Sequence, residues 1–383
     1  MQKPSNAEMA IKIIKQGVAQ KDKSVVHDLV KDDYIQHNPT VPDGRKGLLA
    51  LIDRIINGQL PTPVINVKRV LAEGEYVVLH SDFDWGGRKA VFEIFRFEDG
   101  LAAEHWSGIQ NHPEQTANGH SMVDGETTIK DRDKTELNKA VIKDFLEKVF
   151  IAGQFNKLRD FLDGDKYIQH NPMIADGVSG LERGLEEMQK KGIKIEFHKI
   201  HQIIGEGNLV LTLSEGKFDG KPTAFFDLFR VENGKIAEHW DVLQEVPAQM
   251  PHSNGVFSLS LYRRLGGYDA IAGFVDLAFP RVAVHPELSH FFRGHATESQ
   301  YRQRQLIVDR LCAAAGGPVI YIGRPLESVH RGLGITEANW NTFMKILTTA
   351  MDERKFPEAA KKEFIEILEK QFRAATIEGE LKE

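Results

Sequence analysis

The sequence predicts a multi-domain protein in which two α+β units are followed by an all-α segment. A long motif occurs twice with an offset of 133 residues, a helical pattern precedes each copy of it and strand patterns follow, and the strand patterns stop near residue 259. The chain has 383 residues, and at about 150 residues per domain this length suits two or three domains.

The composition is that of an ordinary globular protein. Hydrophobic residues make up 41% of the chain and charged residues 27%, and 49 basic against 55 acidic residues give a formal net charge of −6. This balance argues against nucleic-acid binding, because no excess of basic side chains is present to neutralise phosphates. No run of about 18 apolar residues occurs, so no membrane-spanning segment is predicted.

The N-terminal sequence and the cysteine content favour a cytoplasmic location. The first residues lack the apolar stretch and the small-residue cleavage site of a signal peptide. Cys312 is the one cysteine of the chain, so it cannot form an internal disulfide, and thiolate metal sites need several ligands at short spacing.

Two motifs define the internal repeat. Residues 34–39, YIQHNP, recur at 167–172, and both copies continue into Asp-Gly and then Gly-Leu. Farther along the chain, residues 103–106, AEHW, recur at 237–240. Two long matches in the same order indicate a tandem duplication.

We interpret residues 5–113 as the first copy and residues 134–248 as the second copy. The polar segments 114–133 and 249–258 are interpreted as linkers.

Each copy combines helical and β-rich patterns. Apolar residues at helical spacing come first, β-rich runs follow, and Gly-containing turns separate these runs. This order favours an antiparallel sheet. The helical positions are Ala7, Ile11, Ile14 and Val18 in the first copy and Val141, Phe145, Val149 and Phe150 in the second, and the β-rich runs are 76–79, 90–95, 209–211 and 224–229.

The motif order in both copies resembles the SnoaL-like branch of the nuclear-transport-factor-2-like superfamily. The resemblance implies cone-shaped α+β folds in which a curved sheet surrounds an apolar pocket. In polyketide-cyclase members of that branch, a carboxylate and a histidine perform acid–base chemistry in an aldol-type ring closure, which needs a base of matched pKa beside a carbon acid. The implied catalytic residues lie in the second copy, near Asn171, and are His170, Asp227, His239 and Asp241.

The first copy carries a different set of residues at the matching positions. These residues are His37, Asn38, Glu93, His105 and Ser107. Ser107 replaces the carboxylate of Asp241, so the first copy is not expected to be catalytic if the second copy works through Asp241. Binding of a small hydrophobic ligand and a structural or homodimer-forming role remain open for both copies, because His-Asn-Pro is also ordinary turn chemistry.

The last third of the chain, residues 259–383, has only helical periodicity. Apolar residues at helical spacing include Phe274 and Val275, Val308 and Leu311, and Ile346 and Leu347. The segment is therefore predicted to be essentially all α.

Several motifs in this segment resemble a group I truncated haemoglobin. They are LYRRLGG at 261–267, FFRG at 291–294, GGP at 316–318 and VHRGLGI at 329–335. The resemblance covers the whole segment, and it implies a two-on-two helical sandwich that binds haem b. It also implies that His330 is the proximal iron ligand, since histidine is the globin choice for that position.

The resemblance implies further haem contacts. Phe292 matches the phenylalanine that stacks on the haem, and Arg324 and Arg302 are candidates to bind the propionates, since arginine binds carboxylates bidentately. The full predicted set is Phe279, Phe292, Gln303, Ile307, Tyr321, Arg324, His330 and Phe343.

The distal side departs from the common group I pattern. Many members carry a donor tyrosine where this chain has Phe279, which leaves Gln303 as the expected donor, with Gln305 or Tyr301 as substitutes if the helix register is shifted. No histidine lies on this helix, so a five-coordinate ferrous state is expected. A neutral hydrogen bond contributes about 1 kcal/mol, so we predict faster oxygen release and easier autoxidation than in tyrosine-bearing relatives.

The predicted function is oxygen binding by the globin segment, with NO and CO as further ligands and the repeated copies as small-molecule or dimerisation modules. The alternative is an aldol-condensation or cyclase-type enzyme in the second copy with an accessory globin. An NO dioxygenase-like activity would need an external reductase, because no G-x-G-x-x-G motif follows a strand pattern in the chain.

Overall fold

The computed structural model describes residues 4–292, 297–317 and 319–377. The chain divides into two compact units, Met1–His252 with Val256–Ser258 and Ser253–Gly255 with Leu259–Glu383. The first unit contains both repeated copies, and the second contains the helical segment. Of the motif residues quoted above, Arg293, Gly294 and Pro318 lie outside the described residues.

The first copy begins with helices and ends with a meander of strands. Ser5 and Glu8 form a capping box that starts the first helix at Asn6. The elements are α1 (Asn6–Lys12) with a π-helical continuation (Ile13–Ala19), α2 (Lys23–Leu29), β1 (Val30–Gln36), α3 (Gly44–Ile56), β2 (Val64–Glu73), β3 (Tyr76–Asp84), β4 (Arg88–Glu98) and β5 (Leu101–Asn111).

The second copy repeats this order. Its elements are a 3₁₀ turn (Arg132–Lys134), α4 (Thr135–Phe145) with a π-helical continuation (Leu146–Ile151), a 3₁₀ turn (Phe155–Lys157), α5 (Leu158–Phe161), a 3₁₀ turn (Gly164–Lys166), β6 (Ile168–Gln169), α6 (Gly177–Lys190), β7 (Ile195–Glu206), β8 (Leu209–Phe218), β9 (Lys221–Glu232) and β10 (Lys235–Glu245). The predicted helical starts and β-rich runs are confirmed in both copies.

Each copy forms one five-stranded sheet. The strand orders are β1-β5-β4-β3-β2 and β6-β10-β9-β8-β7, and neighbouring strands are antiparallel except for the parallel edge strands β1 and β6. The edge strand β1 carries the YIQ part of the repeated motif and β6 carries its Ile-Gln part, and each pairs with the strand that carries Glu-His-Trp. The two motifs of each copy therefore meet at one side of the sheet.

One face of each sheet packs against the helices of its own copy. In the first copy, Ile13 and Ile52 from the helices share a buried core with Val77, Leu79 and Phe95 from the strands. The second copy has the same arrangement, built around Phe145, Phe225 and Phe229. Successive side chains of a strand point to opposite faces of the sheet. The face of each sheet that is turned away from its helices is also apolar.

These second faces pack against each other inside the chain. A single buried core combines Phe92, Ile94 and Trp106 of the first copy with Phe226 and Trp240 of the second. Its formation explains why both copies belong to one compact unit.

Reciprocal hydrogen bonds show that the two copies pair about a pseudo-twofold axis. The Ile109 N–H donates to Gln244 Oε1 at 3.2 Å, and the Leu243 N–H donates to Gln110 Oε1 at 2.8 Å. A second exchange joins the Ala72 N–H to Glu206 and the Gly205 N–H to Glu73, at 2.8 and 2.7 Å. The repeat therefore forms an intramolecular dimer of sheets, and the homodimer predicted from the sequence stays a prediction.

The segments interpreted as linkers contribute buried residues to this unit. Met122, Val123 and Val256 are buried in the core between the sheets. The Trp240 indole N–H donates to the Asp124 carbonyl at 2.8 Å, and the Trp106 indole N–H donates to the Phe257 carbonyl at 3.2 Å. Each segment thus covers one tryptophan of the repeated motif.

The C-terminal unit is helical in its described part. Its elements are α7 (Leu261–Arg264), α8 (Gly267–Val284), a 3₁₀ turn (Ser289–Phe292), α9 (Thr297–Ala314), α10 (Leu326–His330), α11 (Glu337–Glu353) and α12 (Glu358–Ile367) with a π-helical continuation (Leu368–Arg373). The core contains Phe274, Val308, Cys312, Leu347 and Phe364. Helix α8 continues for four residues beyond Pro280.

None of the helices in the described residues combines the length and the apolar character that crossing a membrane would require.

Candidate functional site

Strand alternation divides the Glu-His-Trp motif between the two faces of each sheet. In the second copy, His239 points to the helix-covered face, where it lines a cavity, whereas Trp240 lies in the core between the sheets. The same separation holds for His105 and Trp106 in the first copy. The histidine of this motif therefore belongs to a cavity, and its neighbours belong to the sheet-to-sheet contact.

The cavity of the second copy brings together three of the predicted catalytic residues. Asp227 on β9 lies directly opposite Asp241 on β10, and His239 Nε2 is 3.2 Å from Asp227 Oδ1. The Asn171 amide donates to Asp241 Oδ2 at 2.5 Å. We call this volume of about 70 Å³ the second cavity.

The carboxylates of the second cavity are buried and incompletely hydrogen-bonded. Asp227 is 4% exposed and Asp241 is 6% exposed. Asp227 Oδ2 and Asp241 Oδ1 have no hydrogen-bond partner among the described residues. Burial raises the pKa of Asp241 to about 6, with a smaller contribution from the charge of Asp227.

The structure does not bring His170 into this group, which corrects the predicted constellation. His170 is 1% exposed and stacks on Trp240 with ring centroids 4.9 Å apart. Its Nε2 lies 2.9 Å from Glu238 Oε1, and its Nδ1 lies 2.8 Å from the Ser121 carbonyl. The His170 side chain therefore lies on the sheet-to-sheet side with Trp240, and it does not line the second cavity.

The first copy repeats this layout around a larger cavity, which we call the first cavity. Its volume is about 240 Å³, and its polar lining residues are Gln36, Asn38, Arg54, Glu93, His105 and Ser107, with Tyr34 and Thr40 contributing hydroxyls. Ser107 accepts the Asn38 amide hydrogen bond at 2.6 Å, at the place where Asp241 accepts it in the second copy. Phe225 and Met173, at the positions of Val91 and Thr40, line the second cavity with larger side chains than those they match.

The electrostatics of the first cavity differ from those of the second. Burial raises the pKa of Glu93 to about 8. Burial, reinforced by the charge of His37, lowers the pKa of His105 to about 3. Glu93 Oε1 and His105 Nε2 are 3.8 Å apart. At neutral pH the first cavity therefore presents a protonated carboxyl group beside a neutral imidazole.

The globin-like unit positions His330 at the end of α10. The ring is partly buried, and its Nδ1 lies 2.9 Å from the Leu326 carbonyl, so Nδ1 carries the hydrogen. Burial lowers the pKa of His330, although the Leu326 contact opposes this change. The neutral ring therefore keeps a lone pair on Nε2, and Nε2 has no partner among the described residues.

Phe279, Gln303 and Ile307, which were predicted on the distal side of a haem, lie on α8 and α9. Phe279 and Phe343 meet edge to face with ring centroids 6.3 Å apart, and Ile307 packs against the same core. Gln303 lies one turn before Ile307 on α9 and is partly buried. The substitute donor Gln305 is held elsewhere, because its amide contacts Tyr268 and Asp309.

The remaining predicted haem residues lie at the edges of the unit. Phe292 is partly buried and ends a 3₁₀ turn. The Tyr321 hydroxyl donates to the Arg324 carbonyl at 2.9 Å, and the Arg324 side chain is exposed. Arg302 and Tyr301 are also exposed on α9.

Two residues with clear roles were missed in the sequence. Arg310 lies over the Tyr321 ring at 5.0 Å, on the same side of α9 as Gln303 and Ile307, and its buried Nε has no hydrogen-bond partner among the described residues. Gln169 holds His239 through a 2.9 Å contact. The repetition of Gln36 and Gln169 inside YIQHNP was the available signal for the second of these, and helical spacing from Gln303 was the signal for Arg310.

Comparison with known proteins identifies the family to which the C-terminal unit belongs. Residues 260–376 match the family described as a bacterial-like globin. Over 106 residues the chain is 32% identical to the group 1 truncated haemoglobin of Mycolicibacterium paratuberculosis, and the match covers 28% of this chain and 76% of that protein. Through this segment the chain belongs to the group 1 truncated haemoglobins.

Other matches cover the same segment and the repeated copies. The group 1 truncated haemoglobin of Nostoc sp. (strain MUN 8820) is 33% identical, over 25% of this chain and 78% of that protein. The crystal structure of truncated haemoglobin from Tetrahymena pyriformis in the Fe(III) form is 24% identical, covers 31% of this chain and 97% of that chain, and has a TM-score of 0.29. Residues 14–105 match a SnoaL-like domain, and residues 140–249 match a SnoaL-like polyketide cyclase. The chain thus consists of two SnoaL-like domains followed by a truncated globin domain.

The residues of the truncated globin domain fit a haem. His330 offers a neutral imidazole whose other nitrogen is held by a backbone carbonyl, which is the usual arrangement of a histidine ligand. Ile320, Ile322, Val329 and Leu333 are large apolar side chains that stay exposed close to His330 in sequence. A flat apolar group bound beside His330 would supply the cover that such side chains lack.

Proposed function

We propose that the protein binds haem b through His330 and that the haem domain binds oxygen. The observation that supports this proposal is the His330 imidazole, which is neutral and anchored at Nδ1 by the Leu326 carbonyl, with no partner for Nε2 among the described residues. A bound haem supplies an iron atom that takes diatomic gases, including NO and CO. The side chains of the domain hold the group, exclude water from it and orient its ligand.

The division of labour among the proposed haem residues follows from their chemistry. Phe279, Phe343 and Ile307 provide apolar contact, and Phe292 offers an aromatic face for stacking. Gln303 is the hydrogen-bond donor to a bound gas, since Phe279 cannot donate. Tyr321 and Arg324 lie at the edge of the proposed haem site, where the Arg324 guanidinium can pair with a haem propionate.

An absorption spectrum tests the haem proposal. Purified protein supplied with haem should give a Soret band that responds to reduction and to CO. His330→Ala should lose the ligand-responsive ferrous spectrum, whereas His290→Ala, a control at an exposed histidine in the same domain, should keep it. Identical spectra for the wild type and His330→Ala would place the ligand elsewhere and contradict the assignment.

We further propose that the first SnoaL-like domain binds a small, largely apolar molecule. Its cavity of about 240 Å³ approaches the lower end of the range for small-molecule pockets, about 300 Å³. The protonated Glu93 and the neutral His105 offer one donor and one acceptor at the cavity wall. These features favour a neutral ligand that carries a carbonyl or hydroxyl group.

Fluorescence provides a test of this binding. Trp85 lines the first cavity, and the described residues that line the second include no tryptophan. Titration with a neutral bicyclic aromatic ketone should change the Trp85 emission in the wild type. Ser107→Phe, which fills the first cavity, should abolish the change, and an unchanged response in this variant would rule out binding there.

The alternative function is acid–base catalysis in the second SnoaL-like domain. The convergence of Asp227, His239 and Asp241 on one buried cavity favours it. Turnover of tested carbonyl substrates that is unaffected by Asp241→Asn would remove its main support.

A further inference from the structure

The hydrogen bonds around His239 leave an electron-rich nitrogen facing a carboxylate. Gln169 Oε1 accepts the Asn171 backbone N–H at 2.9 Å, and this backbone donor fixes the orientation of the Gln169 amide. His239 Nδ1 is 2.9 Å from the same oxygen, so Nδ1 is the donor of that hydrogen bond. His239 Nε2 then lies 3.2 Å from Asp227 Oδ1, and either a proton or a cation must lie between these two atoms.

The surroundings favour a cation. Asp227 and Asp241 face each other on neighbouring strands, and each has one buried oxygen without a hydrogen-bond partner among the described residues. The described residues that line the second cavity include neither lysine nor arginine. Burial of two carboxylates without a counter-charge is unfavourable, because no ion pair compensates for the hydration free energy that they lose.

A third orphaned group lies beside the carboxylates. Thr212 on β8 is directly opposite Asp227, and it is fully buried with a hydroxyl that has no partner among the described residues. Paired residues on antiparallel strands project to the same face, so this hydroxyl belongs to the same polar row as Asp227 and Asp241. A buried polar group without a partner indicates a missing ligand, ion or water.

We propose that the second SnoaL-like domain binds one divalent transition-metal cation through Asp227, His239 and Asp241. The three candidate ligand atoms lie within 4.8 Å of one another. Metal bonds of about 2.0–2.2 Å place neighbouring ligand atoms about 3 Å apart, close to the 3.2 Å between His239 and Asp227. One imidazole and two carboxylates suit zinc or manganese, and the second cavity leaves room for water on the open side.

The first SnoaL-like domain provides a natural comparison within the same chain. Ser107 occupies the position of Asp241, so the second carboxylate is missing. Glu93 Oε1 and His105 Nε2 are 3.8 Å apart, beyond hydrogen-bond distance. We therefore expect one cation per chain, and none in the first cavity. This inference goes beyond gas binding and does not depend on it.

Metal analysis of the full-length chain tests the proposal. Protein treated with a chelator is dialysed against Zn²⁺ and, in parallel, against Mn²⁺, and bound metal is counted separately from haem iron. The wild type should retain one equivalent of at least one of the two metals. Asp227→Asn and Asp241→Asn should each weaken this binding by about 100-fold or more, exceeding the 10- to 100-fold typical of outer-shell changes. Asp219→Asn, the same change at an exposed aspartate of the same domain, is the matched control and should bind like the wild type.

Thermal unfolding separates loss of a ligand from loss of the fold. Asparagine has nearly the shape of aspartate and removes a buried charge, so the metal-free variants should unfold at or above the temperature of the metal-free wild type. Added metal should raise the unfolding temperature of the wild type and leave both asparagine variants unchanged. Absence of a bound equivalent of either metal, or equal binding by the wild type and both variants, would overturn the proposal whatever the haem domain does.

Discussion

Asp241 and Ser107 occupy the same position in the two SnoaL-like domains, and each accepts a hydrogen bond from the asparagine of its own YIQHNP motif. The scaffold around them is conserved between the copies, with the same histidine, glutamine and strand pairing. The difference between Asp241 and Ser107 therefore changes the charge of the site, while the hydrogen bonds and strand pairing around it stay the same. The second cavity holds two carboxylates, and the first holds one protonated carboxyl group.

The Glu93–His105 pair predicts a specific pH dependence of stability. Folding raises the pKa of Glu93 from 4.5 to about 8 and lowers that of His105 from 6.5 to about 3. Between pH 4.5 and 6.5 the folded chain holds one proton on Glu93 and the unfolded chain holds one on His105, so the two contributions cancel. From pH 6.5 to 8 only the folded chain holds a proton, and the free energy of unfolding should fall by about 2 kcal/mol.

Glu93→Gln should abolish this fall between pH 6.5 and 8 and leave the variant more stable than the wild type at pH 8. Hydrogen exchange of peptides from β4 reports on the first SnoaL-like domain without interference from the rest of the chain. Glu114→Gln, at an exposed glutamate, should behave like the wild type. An equal slope in the wild type and Glu93→Gln would show that Glu93 does not carry the effect.

We predict that a tyrosine introduced on the distal side of the proposed haem site slows oxygen release. Phe279→Tyr adds a second donor to the proposed distal side, and a neutral hydrogen bond of about 1 kcal/mol corresponds to roughly fivefold slower oxygen release. Gln303→Leu should have the opposite effect and a similar size. Stopped-flow measurement of oxygen dissociation from the ferrous protein provides the comparison, with Phe279→Leu as the control for lost volume. Oxygen release that is unchanged in both Phe279→Tyr and Gln303→Leu would place the donor on another residue.

The sequence predicted the parts of the fold that depend on local pattern. The repeated motifs, the helical starts and the strands near Val78 and Phe226 follow from spacing and β propensity. The separation of the Glu-His-Trp side chains to opposite faces follows from strand alternation. The position of His170 could not be predicted in this way, because β6 has only two residues and their facing depends on pairing with β10.

The packing of the two sheets against each other could not be predicted from the sequence either. The sheet-to-sheet core joins residues about 134 positions apart, and neither copy contains a local signal that its second face is covered by the other. The buried contacts of Trp240 and Trp106 involve segments 114–133 and 249–258, whose polar composition predicts linkers. The different cavity volumes depend on how Phe225 and Met173 pack, which composition does not determine.

The close approach of the two sheets at Gly108 predicts a large effect of a small substitution. An added Cβ would lie 2.5 Å from Phe226 Cδ2 and 3.1 Å from Val242 Cγ1. Gly108→Ala should therefore destabilise the first unit by about 1–3 kcal/mol, the usual cost of overpacking. Combining Gly108→Ala with Phe226→Leu should cost less than the sum of the single changes, and strict additivity in thermal unfolding would contradict the proposed clash.

The contacts of Arg69 allow a prediction about residues 114–133, the segment between the two SnoaL-like domains. It is 2% exposed, its guanidinium donates to the carbonyls of Val123, Asp124 and Glu126, and it lies 4.0 Å from the Trp240 ring centroid. Arg69→Met would leave the Val123 and Glu126 carbonyls without their donor, whereas the Asp124 carbonyl keeps the Trp240 indole N–H. We expect a loss of about 2–5 kcal/mol in the free energy of unfolding, because each unsatisfied buried carbonyl costs about 1–3 kcal/mol. Arg69→Lys should recover little of it, because a single ammonium cannot reproduce the planar fork of donors.

Arg132 offers a matched control, since it pairs with Glu206 at 2.8 Å but is 60% exposed. Arg132→Met should cost less than about 1 kcal/mol, as is typical of exposed ion pairs. Chemical denaturation, together with hydrogen exchange of peptides that cover residues 120–127, separates global unfolding from local release of the segment. A loss at Arg69 no larger than that at Arg132 would mean that the apolar contacts of Met122 and Val123 alone hold the segment between the sheets.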